Sequence, residues 1–131
     1  MSTLKVDNLL NAAGNESPIS VPGAAKAWVH YDGSSGTTGQ NNTTIRSSYN
    51  VSSVTNNSTG DYTINFTNNM PNANYAALCS GGNNAANSEG SWVVTYDNTT
   101  NTVSSVRVAT YTYDGAVDTT EQVYVAVFCD D

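Results

Sequence analysis

The feature that most constrains this chain is a recurring short run in which every second residue is apolar or aromatic. The first is "AKAWVHY", where Ala27, Val29 and Tyr31 alternate with Lys26, Trp28 and His30. "DYTINFT" sets Tyr62, Ile64 and Phe66 on one face, and "VRVATYTY" and "QVYVAVF" repeat the pattern. Successive side chains of a strand point to opposite sides, so a period of two marks a strand with one buried face. Between the runs stand clusters of Gly, Asn, Asp and Ser, which close tight turns. Further strands are read in "TIRSSYNVSSVTN", "NYAALC" and "SWVVTYD". Short strands at this spacing build antiparallel sandwiches and barrels. The expected fold class is all-β, an antiparallel β-sandwich, jelly-roll-like or Ig-like, over residues 23–131.

Residues 1–22 read differently. Leu4 and Val6 alternate as in a strand, whereas Leu9, Leu10 and the following alanines have room for one helical turn closed by Gly14. Such a segment is too short to fold alone. We expect an arm that uses Leu4, Val6, Leu9 and Leu10 for attachment or oligomerisation; the plainer alternative is a frayed tail.

A net charge of −7 excludes nucleic acid as an expected partner, because phosphate binding needs clustered cations. The four basic residues, Lys5, Lys26, Arg46 and Arg107, are scattered. No apolar run approaches spanning length, and "MSTLKVDNLL" lacks the apolar segment of a signal peptide. The expectation is synthesis in the cytoplasm without membrane insertion. Asn and Thr make up roughly a quarter of the chain, far above ordinary usage, and such an amide- and hydroxyl-rich surface suits contact with polar polymers.

Little points to catalysis. Asp32, Asp61, Asp97, Asp114, Asp118 and Glu121 fall mainly in turns, where Asp braces its own backbone. No enzyme, metal site or cofactor is expected. His30 either meets symmetry mates at an oligomer axis and binds a metal, or is simply packed. Cys79 and Cys129 both end apolar runs, as buried thiols or as a disulfide between strand ends. Trp92, Tyr96, Tyr111 and Tyr113 lie near loops, and aromatic faces beside Asn and Thr are what sugar recognition uses. Exposed tyrosine is also ordinary on an antiparallel sheet. The candidate ligand-facing set is Trp92, Tyr111, Tyr113 and Asp114. The candidate core or interface set is Trp28, Tyr31, Tyr62, Phe66, Tyr75 and Phe128. Exposed loops are expected around 34–42, 81–90 and 114–121, the first within the flexible stretch "DGSSGTTGQNNT".

Taken in order, "MSTLKVDNL", "GAAKAWVHYDG", "IRSSYNVSSVTNNSTGDYTINFTNNMPNANYA" and "VYVAVF" resemble a module widespread in virion proteins of tailed phages, notably marine and cyanobacterial ones. The resemblance implies a tail-fibre or similar appendage protein, often trimeric. Its N-terminal segment would attach to another virion protein and its β-rich end would face the host. No shaft repeat is present, so the expectation is a short tail fibre or fibre tip on the virion that binds host-surface polysaccharide. The alternative is a capsid decoration or head-fibre protein with a mechanical role.

Overall fold

A computed structural model describes residues 23–82, 90–96 and 101–130. The proposed arm, with Leu4, Val6, Leu9 and Leu10, lies outside these residues, as does most of the loop expected at 81–90. Eight strands follow one another: β1 (Ala27–Tyr31), β2 (Ile45–Tyr49), β3 (Val51–Ser58), β4 (Asp61–Phe66), β5 (Ala76–Gly81), β6 (Trp92–Thr95), β7 (Ser105–Tyr111) and β8 (Val123–Phe128). They form two four-stranded antiparallel sheets, ordered β2-β1-β8-β5 and β3-β4-β7-β6. The protein is an all-β sandwich.

The alternation seen in the sequence sets which side chains fill the space between the sheets. Ala27, Val29 and Tyr31 of β1 and Val123, Val125 and Val127 of β8 point inward from the first sheet. Val54, Tyr62, Ile64, Phe66, Val93, Val106 and Val108 meet them from the second. Two tyrosines bury their rings and spend their hydroxyls on backbone. Tyr62 packs edge-on against Tyr31 with ring centroids 5.3 Å apart and donates to the Gly33 carbonyl. Tyr75 packs edge-on against Phe66 and donates to the Ser105 carbonyl at 2.7 Å. An unpaired buried hydroxyl costs about 1–3 kcal/mol; these two avoid that cost, whereas the buried Tyr31 hydroxyl has no hydrogen-bond partner among the described residues.

Two members of the candidate core or interface set lie outside the core. Trp28 projects from the outer face of the first sheet, since β1 turns Ala27, Val29 and Tyr31 inward. Phe128 has the opposite parity to Val123, Val125 and Val127 and is only half-buried. Position along the strand has overridden residue type in both.

The first passage of the chain from one sheet to the other takes a single residue. Tyr49 ends β2 in the first sheet and Val51 begins β3 in the second, with Asn50 alone between them at φ 55°. That left-handed conformation costs most residues about 1–2 kcal/mol, and asparagine tolerates it. The Asn50 amide donates to the carbonyls of Lys26 at 3.0 Å and Asn68 at 3.1 Å, and its oxygen accepts the Asn68 N–H at 2.8 Å. One side chain thereby ties the corner to both neighbouring segments.

The loop from β1 to β2, expected to be flexible, is stitched down. Asp32 accepts from the Ser34 N–H at 3.0 Å and from Arg46 at 3.0 Å. Gly39 donates to the Asn56 carbonyl at 2.6 Å, and the Asn56 N–H donates to the Gln40 carbonyl at 3.0 Å. Asn56 lies on β3, so the loop lies along the edge of the second sheet. Gly33 is required where the start of the loop passes Thr120: a Cβ there would stand 2.6 Å from the Thr120 carbonyl oxygen.

Asn50→Ala should lower unfolding free energy by about 2–3 kcal/mol, combining backbone strain with lost hydrogen bonds. Asn50→Gly should cost about half as much, because glycine accepts the dihedral. Urea denaturation measures both, and equal losses would show that the corner conformation carries no penalty.

Candidate functional site

The outer face of the second sheet gathers the aromatic and polar groups that the sequence leaves scattered. Along edge strand β6, Trp92 and Val94 are exposed, and Tyr96 follows with its N–H bonded to the Arg107 carbonyl at 2.9 Å. Trp92 stands opposite Tyr111 on β7, and Val94 opposite Ala109. Ala109 in turn faces Asp61 on β4, and Arg107 faces Thr63. A single surface thus runs from an aromatic edge at β6 to a polar floor on β7, β4 and β3.

The floor is fixed by hydrogen bonds. Arg107 clasps Asp61 with both arms of its guanidinium, Nε donating to Oδ1 at 2.8 Å and the terminal nitrogen to Oδ2. Tyr96 covers the same guanidinium, whose central carbon lies 4.2 Å from the ring centroid. Asn57 donates to Asp61 at 3.0 Å and to the Thr63 hydroxyl at 2.9 Å. Asn65 donates to the hydroxyls of Ser53 and Thr55, each at 3.0 Å. A fork-to-fork pair beside an aromatic ring is both strong and directional. The Arg107 guanidinium holds the Asp61 carboxyl below the usual carboxylate range, with Asn57 adding to it against the opposing effect of burial.

Of the candidate ligand-facing residues, Trp92 and Tyr111 are brought together as cross-strand neighbours on this face. Tyr113 is exposed in the loop beyond β7. Asp114 braces its own turn: Thr112 and the Ala116 N–H both donate to Oδ1, and the Thr112 hydrogen bond lowers its carboxyl pKa. Asp118 accepts from the Thr119 N–H at 2.7 Å. The described carboxylates named here are therefore occupied in turns or ion pairs, and none forms an acid–base couple. Among the described residues no group of three His, Cys, Asp or Glu side chains gathers to hold a metal.

His30 lies on the opposite sheet, its ring stacked on Tyr124 with centroids 4.5 Å apart. Cys79 and Cys129 are both free and half-buried. Burial pushes the Cys79 thiol up to about 11, so it stays protonated and behaves as a small apolar side chain. Sequence reasoning missed the Asp61–Arg107 pair, whose members are 46 residues apart. The only local signal was that Arg107 alternates with Val106 and Val108, placing it outward.

What this face offers is stacking surface beside fixed donors and acceptors. The negative face of an indole or phenol attracts positively polarised C–H groups, while amides and hydroxyls match those of a polyol. No family model, curated protein or solved structure matches the chain.

The ion pair gives a pH test. The Asp61 carboxyl pKa is lowered on folding, so its stabilisation is complete above roughly pH 4 and is lost as pH falls through the depressed folded-state value. Thermal unfolding should show Tm dropping as pH falls below about 4. Asp61→Asn should lower Tm at pH 7 and flatten that acid limb. An unchanged acid limb in the variant would assign the pH dependence to other groups.

Proposed function

We propose that this chain is a structural protein of a phage virion, a short tail fibre or fibre tip, whose second sheet binds host-surface polysaccharide. The observation carrying the binding half is the edge formed by exposed Trp92 and Tyr96 and half-buried Tyr111, beside the preorganised Arg107, Asp61, Asn57 and Asn65 floor. The virion half is supported by the order of motifs from "AKAWV" to "VYVAVF". A side-chain set held by its own hydrogen bonds loses little entropy on meeting a ligand, which favours a sugar whose individual contacts are weak. The net charge of −7 favours neutral or cationic polymers over anionic ones.

Avidity supplies the rest of the reading. A shallow site repeated around a homotrimer, and again over many copies on a particle, binds tightly without high affinity at each copy. The N-terminal arm would join these copies to another virion protein. The second reading, a capsid decoration protein with a mechanical role, draws on the apolar outer face of the first sheet, described below.

Biolayer interferometry of the purified chain against immobilised neutral bacterial O-antigen chains and neutral capsular polysaccharides tests the proposal. Trp92→Ala should weaken binding at least tenfold, about 1.4 kcal/mol, with folding intact because Trp92 is an exposed residue. The wild-type chain should also compete with phage adsorption. Absence of binding to every polysaccharide, with attachment to phage heads retained, would replace this reading with decoration.

A further inference from the structure

The two outer faces of the sandwich are chemically opposite. On the second sheet, the outward positions of β3, β4 and β7 include Ser53, Thr55, Thr63, Asn65 and Arg107, the polar set an antiparallel sheet shows to water. On the first sheet, one row across β2, β1, β8 and β5 reads Tyr49, Trp28, Ala126, Leu78. The row beside it reads Ser47, His30, Tyr124, Ser80. Exposure is 47% for Tyr49, 39% for Trp28, 59% for Leu78 and 38% for Tyr124. Between the Trp28 and Leu78 ridges, the small Ala126 leaves a trough of about 460 Å³.

We infer that this face is where copies of the chain meet: the outer face of the first sheet is covered by a second copy. Charge is the first argument. The chain carries −7, so two copies repel, yet no carboxylate stands at any outward position of these two rows. It is the face on which like-charged copies approach at least cost. Shape is the second. A valley flanked by two ridges accepts a ridge, so Leu78 or Trp28 of one copy enters the Ala126 valley of the next.

Area is the third argument. At roughly 200 Å² per aromatic side chain and somewhat less for leucine, the four large residues leave about 350 Å² open on each copy. Across two copies that is about 700 Å², and the smaller neighbours Ala126, Ser47 and Ser80 carry it toward the roughly 1,200 Å² at the lower end of specific interfaces. Association is therefore reversible and concentration-dependent. Two copies stack these faces directly, whereas three turn them toward a common axis. The inference rests on the multivalent reading above for its use alone, because assembly mass and glycan binding are measured separately.

Sedimentation velocity of the full chain across a concentration series is the test. The expected result is a two- or three-copy species that dissociates on dilution. Leu78→Glu, which puts a charge at the centre of the contact, should raise the half-dissociation concentration at least tenfold, and Trp28→Ser should do the same. Both residues are open to solvent in the single copy, and circular dichroism melts verify that each variant folds. Trp92→Ala should leave the mass unchanged. A chain monomeric at every concentration, or an oligomer that survives both substitutions, would overturn the inference. If Trp92→Ala retains glycan binding while Leu78→Glu still dissociates the oligomer, the sugar reading fails and this one stands.

Discussion

The crossing from β2 to β3 imposes the constraint on which the rest of the fold depends. With Asn50 alone between Tyr49 and Val51, the two sheets are joined edge to edge along one side of the sandwich. The strands must then stack with their apolar faces toward each other. Residues elsewhere respond to that closure. Tyr62 reaches Gly33, Tyr75 reaches Ser105, and the small residue at 33 lets the first loop close over the end of the core. A corner of one residue leaves no slack, so register errors in β3 would place its polar residues inside.

This crossing also decides what the outer faces look like. Every strand has one side committed to the core, so the residues left over are whatever the alternate positions hold. On the second sheet those positions assemble Arg107, Asp61, Asn57 and Thr63 from three strands into one hydrogen-bonded floor. On the first they line up aromatic and aliphatic groups instead. A single sandwich thereby offers two surfaces of different chemistry, one a polar network beside aromatic rings and the other a row of exposed apolar side chains.

Much of the fold was legible because burial follows period two. Tyr62, Ile64 and Phe66 lie inward as their spacing requires, and so do Ala27, Val29 and Tyr31. The same parity places Trp28 outward, although its size suggests a core anchor. For Trp28, strand geometry is the stronger guide. What sequence could not supply was pairing. Asp61 and Arg107 meet because β4 and β7 are neighbours, a fact of topology that no local pattern encodes. Asn50 was equally silent, since an asparagine in an asparagine-rich chain gives no sign that it occupies a left-handed corner. The loop after β1 reads as flexible from its glycines and serines, yet backbone hydrogen bonds to Asn56 fix it.

Those bonds have a consequence wherever many copies of the chain are held close together. The edge of a sheet is a template for adding another chain's strand, and proteins packed at high density risk joining into fibres along it. Where Gly39 and Gln40 engage both backbone groups of Asn56, β3 has no donor or acceptor left to offer. The loop thus acts as a stopper at that point of the edge. Strand addition is blocked at that point, so neighbouring copies cannot extend the second sheet through Asn56.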